Sequence, residues 1–419
     1  MARWQNWSGV QTCQPSQFLH PSSEEELAAF VKAATKVRVV GASHSFSSLV
    51  PTSDTLISLD QMTGVIEVDS QSHQATCWAG TPLRQLGRLL WDQGLSLSVQ
   101  GDVDHQTLGG AIGTGTHGTG REFGCMSAAV IGFRLLKADG SYIDCDANQN
   151  AEVFSAGRVS LGSIGVMTQI KIQCEPAFHL LQKVQCIPLQ ECMHRHKEIA
   201  AQHRHFEFFG FPNTDHVVME VQDVSTKPVR RPRLDLDDFF LRLFSETARF
   251  AAPVSRVLQR TAMLLTPTET MVDRAFEVFP SKRKVRFNEM EYAVPPENFV
   301  DCYQQLVDFV RERKITLGFP FECRWVKADD IWISPFHERD AVVISVHRYH
   351  KQLYRDFFSA VEPIFVKAGG RPHWGKLHSL GAEHLSQMYP RWTDFCELRK
   401  ELDPTRKFLN EHLQSFFGD

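Results

Sequence analysis

The sequence predicts an α+β fold that is divided between more than one domain. Its 419 residues are too many for one compact hydrophobic core. Short β-type segments are frequent, and few helices lie between them that could connect parallel strands. The composition is 42% hydrophobic and 22% charged, which supplies enough apolar residues for two cores.

Charge and cysteine usage narrow the class of protein. The formal net charge is −4, which argues against a nucleic-acid partner, and the charge pattern does not indicate a membrane surface. No apolar run reaches about 18 residues and the N-terminus lacks an apolar core, so we expect neither a membrane span nor a signal peptide. The 10 scattered cysteines form no C-x-x-C pair, which is typical of reduced thiols in the cytoplasm.

The first 175 residues contain short strands and two helices. Ser22 and Glu25 form a capping-box pattern for a first helix. Thr81 and Pro82 favour the start of a second helix, and Gly94 favours its end. Strands are expected at residues 37–40, 55–59, 65–68, 129–137 and 166–173.

Two glycine-containing segments carry the main chemical signals. Residues 41–46 form a Gly-Ala-Ser-His-Ser-Phe turn after a strand; its free amides suit a pyrophosphate, although an ordinary turn fits equally well. Residues 107–120 alternate Gly and Thr, which suits a long flat cofactor lying on the main chain. Their density of glycine predicts that this segment forms no regular helix. Those glycines are Gly109, Gly110, Gly113, Gly115, Gly118 and Gly120.

The second half of the sequence has a different pattern of residue types from the first. We expect a polar helix at 185–203, an aromatic strand at 205–211, a helix at 300–313 and a strand at 341–346. Residues 226–260, with clustered Arg and Pro before an amphipathic helical stretch, look like an insertion. The tail, 371–419, is too small to bury a core alone, so we expect it to pack on an earlier part of the chain.

Five segments in order resemble one family of flavoproteins. Residues 39–46 and 107–120 resemble the vanillyl-alcohol-oxidase type, and more narrowly its aldonolactone oxidase and alditol oxidase branch. Residues 161–166 are similar to the end of that FAD domain, and three later family blocks lie at 321–325, 328–335 and 370–378. The resemblance covers nearly the whole chain except 226–260. It implies a two-part FAD-binding domain, residues 1–175 and 377–419, with an inserted α+β substrate domain, residues 176–376.

The resemblance also implies FAD bound covalently through His44. Residues 41–46 would wrap the pyrophosphate, 113–118 would lie along the isoalloxazine and ribityl chain, and 165–166 would touch flavin or adenine. The implied cofactor-binding residues are Gly41, Ala42, Ser43, His44, Ser45, Phe46, Gly101, Gly110, Gly113, Thr114, Gly115, Thr116, His117, Gly118, Gly165 and Val166.

Three residues match family positions that face the substrate: Glu322, Arg324 and Lys376. Oxidation of a C–OH group creates negative charge on oxygen and on the flavin, and a cation from Arg324 or Lys376 would stabilise it. Glu322 and Arg324 are two apart, so on a strand they share a face and could grip a polyhydroxylated substrate; a surface salt bridge is the alternative. His347 and His373 are further substrate-contact candidates, although a structural role for His373 fits as well.

The sequence therefore predicts FAD-dependent oxidation of a hydroxyl carbon of a gulono-, galactono- or arabinono-1,4-lactone, with oxygen or another electron acceptor. A polyol (alditol) oxidase and a flavin-binding protein without turnover are the alternatives. His347 favours the lactone, because the alditol oxidases have a small hydroxyl residue there, and the Glu322, Arg324 and Lys376 set argues for turnover. We expect no metal site, because the spacing of Cys192, His194, His196, His203 and His205 fits no zinc pattern.

Overall fold

The computed structural model describes residues 3–231, 237–281 and 284–418. The N-terminal strands are β1 Trp4–Gln5, β2 Thr12–Cys13, β3 Gln17–Leu19, β4 Val37–Val40, β5 Thr55–Ser58, β6 Val65–Asp69, β7 Gln74–Trp78, β8 Leu95–Ser96, β9 Val130–Leu136, β10 Tyr142–Asp146 and β11 Val166–Gln173. The helices among them are α1 Glu24–Ala33, α2 Leu83–Asp92, α3 Leu108–Thr114 and α4 Ala151–Gly157, with a 3₁₀ turn at Met126–Ala129.

The following strands are β12 Glu175–Pro176, β13 His179–Pro188, β14 His205–Gly210, β15 His216–Ser225, β16 Glu269–Arg274, β17 Phe287–Val294, β18 Phe321–Val326, β19 Ala341–Tyr349 and β20 Arg371–Pro372. The helices are α5 Leu189–Gln202, α6 Asp237–Phe250, α7 Ala252–Leu265, α8 Ala275–Val278, α9 Phe299–Glu312, α10 Arg355–Lys367, α11 Ala382–Met388, α12 Trp392–Leu402 and α13 Glu411–Phe417.

Three sheets of different size contain most of these strands. The N-terminal part has a parallel three-stranded sheet, β3-β5-β4, and an antiparallel five-stranded sheet, β10-β9-β11-β7-β6. The later part has one eight-stranded antiparallel sheet in the order β16-β13-β15-β14-β18-β19-β17-β20. This mixture confirms the predicted α+β class.

Local predictions were correct in type but wrong in several boundaries. The cap of α1 is Ser23, whose side chain accepts from the Glu26 amide, and the Glu26 carboxylate accepts from the Ser22 amide. The predicted capping box is therefore displaced by one residue. Pro82 is the residue before α2 rather than its first residue. In the predicted helix at 185–203, the strand β13 continues to Pro188, and α5 begins only at Leu189.

The prediction that the glycine-rich segment forms no helix is wrong. α3 runs from Leu108 to Thr114, and the Thr107 side chain caps it by accepting from the Gly110 amide. Leu108, Ala111 and Ile112 are fully buried in the core, so tertiary packing offsets the poor helix propensity of the glycines. Gly115 ends the helix in the left-handed conformation, at φ 71°.

The C-terminal residues return to the N-terminal part. The Val37 amide donates to the Lys407 carbonyl (2.8 Å), and the Lys407 ammonium donates to the Val31 carbonyl (2.6 Å). Buried Arg38 donates to the carbonyls of Gly162 (2.8 Å) and Phe408 (2.6 Å). A single guanidinium thus joins β4, the loop before β11 and the tail.

Candidate active site

The turn at residues 41–46 is fixed from both sides by backbone contacts. Ser43 has a positive φ of 62°; its carbonyl accepts from the Trp7 amide (2.8 Å) and its hydroxyl from the Trp4 indole (2.9 Å). On the other side, the Phe46 amide donates to the Gly375 carbonyl (2.7 Å). A Cβ on Gly41 would lie 2.2 Å from the Thr107 hydroxyl, so only glycine lets the turn reach the start of α3.

The glycines after α3 differ in what surrounds them. A Cβ on Gly118 would lie 2.3 Å from the Gln100 carbonyl oxygen, so the protein itself fills that space. Gly113 is a buried residue, yet a Cβ there would have no heavy atom within 4 Å. Open space therefore lies beside the backbone of α3, and it suits a flat ligand packed against the main chain.

His44 projects from the turn as a neutral imidazole. Its ring stacks on Trp7 (centroids 5.6 Å apart) and on His105 (6.1 Å). Burial, followed by the charges of His105 and Lys376, lowers the pKa of His44 to about 4. An unprotonated ring nitrogen is therefore present at neutral pH.

Lys376 lies where the turn meets the eight-stranded sheet. Its ammonium is 2.5 Å from a carboxylate oxygen of Glu289 and 4.0 Å from one of Glu291, and it lies over the Phe46 ring. Burial opposes the charged form, but the two carboxylates raise the pKa of Lys376. Burial likewise acts against the charged form of Glu289, yet Lys376 and His347 lower the pKa of this carboxyl to about 2. A permanent cation is thus held by two anions.

A second set of contacts surrounds Glu291. His117 Nε2 lies 3.0 Å from one oxygen of this carboxylate, and the Ser345 hydroxyl donates to the other (2.7 Å). The second ring nitrogen of His117 faces the Gly118 carbonyl oxygen at 2.8 Å. Both ring nitrogens of His117 therefore face oxygen atoms, and the ionised Glu291 carboxylate has a partner at each of its two oxygens. Burial works against that ionisation, but Lys376, His373 and His117 hold the pKa of Glu291 well below its usual range.

Arg324 lies at the centre of a separate buried group on β18. Its Nε donates to Glu207 of β14 (2.6 Å), and its Nη2 forms ion pairs with Asp102 and Glu322. The pair Glu322–Arg324 is thus buried, which excludes the surface salt bridge. Burial and the carboxylates Asp102, Glu220 and Glu322 raise the pKa of Glu207 well above its usual range.

Strand register brings the two groups together. Ser345 of β19 pairs with Glu322 on one side and with Glu291 on the other. The Glu322 charge also contributes to raising the pKa of Lys376. The three residues predicted from sequence therefore lie in one continuous polar region, in which cations and carboxylates alternate.

Two protein families match this chain. Residues 15–146 match the FAD binding domain family, and residues 170–416 match the D-arabinono-1,4-lactone oxidase family. The chain belongs to the D-arabinono-1,4-lactone oxidase family. It is an FAD protein, as its sequence predicted.

Members of this family and related oxidases align over nearly the whole chain. The L-gulono-1,4-lactone dehydrogenase of Mycobacterium tuberculosis is 38% identical over 99% of both chains. The L-gulonolactone oxidase of Mus musculus is 32% identical over 99% of this chain and 98% of its own. The alditol oxidase of a Streptomyces species is 29% identical over 98% and 97%. These matches confirm the aldonolactone and alditol oxidase branch.

Among solved structures, a cholesterol oxidase from Brevibacterium sterolicum superposes with a TM-score of 0.82 over 99% of this chain and 96% of its own. Its sequence identity is 16%, so this likeness concerns the fold alone. Together with the FAD-binding-domain match, it confirms the predicted fold class of an FAD-binding domain joined to an α+β part.

The remaining predicted residues of this lactone oxidase family member have mixed surroundings. His373 is buried, accepts from the Gly375 amide (2.9 Å) and lies 5.8 Å, centroid to centroid, from His117; burial lowers its pKa to about 4. Buried His347 packs between Phe287 and Phe319, with Nε2 3.6 Å from Glu289.

Three predicted cofactor-binding residues, Gly101, Gly165 and Val166, lie against other parts of the protein. A Cβ on Gly165 would lie 2.6 Å from the Leu136 carbonyl oxygen, and one on Gly101 would lie 2.9 Å from the Thr116 methyl carbon. Val166 begins β11 opposite Leu136. Protein contacts thus account for the glycine at 165, where φ is 154°.

Sequence reasoning missed Asp102, Glu207, Glu289 and Glu291. The alternation of Glu289 and Glu291 in the buried strand Phe287–Val294 was a usable signal, because it places two acids on one face of that strand. Asp102 and Glu207 carried no such signal, since only the fold brings them to Arg324.

Clusters with metal-ligand chemistry occur at two places in the described chain. They are His117 with Glu291 and His373, and Asp102 with Glu207 and Glu322. Lys376 and Arg324 already neutralise these carboxylates. The histidine-rich segment 192–205 forms neither cluster; His196, for example, packs on Phe299 and Trp325.

Proposed function

We propose that this protein oxidises a hydroxyl-bearing carbon of a sugar 1,4-lactone and passes the electrons to FAD. The relatives are named as oxidases or dehydrogenases of L-gulono- and D-arabinono-1,4-lactones. The observation that carries the proposal is the permanent Lys376 cation, held by Glu289 and Glu291 beside the glycine turn. Such a preorganised charge suits the negative charge that oxidation of an alcohol develops.

FAD, when bound, supplies the acceptor for the hydride that leaves the substrate carbon. The main chain of 41–46 and of α3 around Gly110 and Gly113 would hold it, since open space lies beside Gly113. The remaining cofactor contacts proposed are those of the family motif, from Thr114 to Gly118.

In this account, Lys376 and Arg324 stabilise the negative charge that develops on the substrate oxygen while its proton passes to solvent water, and Glu322 orients neighbouring hydroxyl groups. Asp102 and Glu207 restrain Arg324 in one rotamer, as Glu289 restrains Lys376. His347 and His373 border the site as substrate contacts.

The attachment of FAD through His44 is part of the proposal. Formation of a bond to the flavin 8α carbon needs an unprotonated ring nitrogen, which His44 has because burial lowers its pKa to about 4. After acid denaturation and electrophoresis, yellow fluorescence should migrate with the wild-type polypeptide and be lost from it in His44→Ala. The matched control is His105→Ala, which removes the neighbouring imidazole and should keep the fluorescent band. Fluorescence that separates from the wild-type chain contradicts covalent attachment.

The domain arrangement is also proposed. Residues 1–175 and 377–419 would form the FAD-binding domain, and 176–376 the substrate domain. The support is the set of hydrogen bonds that join Lys407, Phe408 and Asn410 to residues 31–51. We further propose a cytoplasmic protein, because the ten cysteines are scattered along the chain and form no C-x-x-C pair.

A polyol oxidase is the second candidate, favoured by the similarity to the alditol oxidase. Purified yellow protein should be mixed anaerobically with L-gulono-, D-arabinono- and L-galactono-1,4-lactone, and separately with xylitol and sorbitol. We expect lactones to bleach the flavin and polyols to leave it oxidised. Bleaching by polyols alone would reverse the assignment, and bleaching by none would favour a flavin-binding protein without turnover. Reoxidation by oxygen and by an artificial dye then separates oxidase from dehydrogenase.

A further inference from the structure

The helical hairpin α6–α7 presents apolar side chains to solvent. More than half of the large hydrophobic residues that are exposed in the described chain lie in this segment. On α7 they follow helical spacing along one face: Val254, Val257, Leu264 and Leu265, the last being 75% exposed. On α6, Phe239 is 63% exposed and Phe250 is 77% exposed. We call these six residues the apolar stripe.

The buried face of α7 includes polar residues, while several of its apolar residues are exposed to solvent. Ser255 and Gln259 are buried beneath it with Met263, and the Gln259 amide donates to the Leu317 carbonyl (2.7 Å). The Ser255 hydroxyl donates to the Phe244 carbonyl (3.1 Å). These hydrogen bonds hold Ser255 and Gln259 inward, so the apolar stripe faces solvent. An exposed apolar surface of this kind is typical of an interaction site.

Basic side chains flank the apolar stripe. Arg242, Arg249 and Arg260 are exposed on the two helices. Lys284 and Arg286 are exposed beside the start of α6, because the Lys284 amide donates to the Asp238 carboxylate (2.8 Å). Two acids lie nearby: Asp238, whose carboxylate accepts from the Lys284 backbone amide, and Glu246, which pairs with Arg249 and Lys351. The basic side chains outnumber these two acids and form a basic rim beside the apolar stripe.

We propose that the α6–α7 hairpin lies in the interface of a membrane that contains anionic lipids. An apolar helix face with a basic rim is the arrangement that binds such surfaces, the apolar part entering the acyl boundary and the cations contacting headgroups. A second copy of the chain fits less well, because a two-fold contact would bring the two basic rims together. Within the described residues, no helix is long and apolar enough to cross a membrane, so the contact is peripheral.

The test uses the full-length, FAD-loaded protein and sedimentation with vesicles. Wild type should bind phosphatidylcholine vesicles containing phosphatidylglycerol, and bind vesicles of phosphatidylcholine alone more weakly. The double variant Leu264→Ser/Leu265→Ser should lower the partition coefficient about tenfold or more, from lost apolar burial. The matched control is Leu353→Ser, which changes an 83% exposed leucine outside the hairpin and should bind as wild type does.

Two results would overturn the proposal. One is equal vesicle binding by wild type and the Leu264→Ser/Leu265→Ser variant. The other is an absence of wild-type binding to anionic vesicles. In that case, a wild-type dimer in sedimentation velocity that becomes a monomer in the Leu264→Ser/Leu265→Ser variant would assign the apolar stripe to a second copy of the chain. The flavin spectrum and the thermal midpoint of the variant check that it is folded. We expect both to match wild type, because both leucines are exposed and lie outside the proposed catalytic residues.

Discussion

The candidate site has two parts that differ in construction. The backbone half lies around residues 41–46 and α3, and the charged half lies around Lys376 and Arg324. In the backbone half, glycines bring the main chain close to its surroundings. Gly41 lies against Thr107, and open space lies beside Gly113. Around Lys376 and Arg324, long charged side chains from separate strands form a buried network. We propose that the backbone around α3 leaves room for the cofactor, whereas the paired charges prepare the chemistry.

The largest expected effect concerns the charged half. Lys376→Met should slow flavin reduction by lactone roughly a hundredfold, corresponding to about 3 kcal/mol, because the cation facing the developing charge is lost. Lys376→Arg keeps the charge beside Glu289 and should lose less activity. Anaerobic stopped flow at saturating lactone measures both, with flavin content as the control. Reduction of the Met variant at the wild-type rate would remove Lys376 from the mechanism.

A pair of glycine substitutions tests the backbone half. Gly118→Ala should destabilise the fold by about 2–3 kcal/mol, because its methyl group meets the Gln100 carbonyl oxygen. Gly113→Ala should leave the apoprotein as stable as wild type, or about 1 kcal/mol more stable from helix propensity, while weakening FAD binding. Urea unfolding of apoprotein and FAD titration separate these effects. Unchanged FAD affinity in Gly113→Ala would show that the cofactor lies elsewhere.

The smallest effect concerns pH. Burial lowers the pKa of His378 to about 3 and that of His373 to about 4, against an ordinary 6.5. In the unfolded chain, His373 and His378 therefore bind protons below about pH 6.5. In the folded protein, they bind protons only near or below about pH 4. Stability should fall as pH drops through this window and stay nearly constant above pH 7.

His378→Phe tests this sign, because a phenyl ring can keep the stacking on Phe416 and cannot be protonated. The variant should lose on the order of 1–2 kcal/mol less than wild type between pH 7 and pH 5. The measurement is the urea midpoint at both values. A midpoint that is independent of pH in the wild type, or equal slopes in the two proteins, contradicts the assignment.

The same difference in construction decides what the sequence could reveal. The backbone half is local, so residues 41–46 and 107–120 were sufficient to predict an FAD domain. Its helix α3 was missed because burial of Leu108, Ala111 and Ile112, which sequence does not show, outweighs glycine propensity. The charged half depends on register between strands distant in sequence, which is why Lys376 was found without its partners Glu289 and Glu291.

We propose that cofactor binding and chemistry belong to these separate halves of the site. Anaerobic stopped flow on Arg324→Ala beside wild type, with FAD occupancy measured in the same samples, tests this proposal. We expect full occupancy and flavin reduction slowed roughly a hundredfold at saturating lactone. Full occupancy with reduction at the wild-type rate would contradict it.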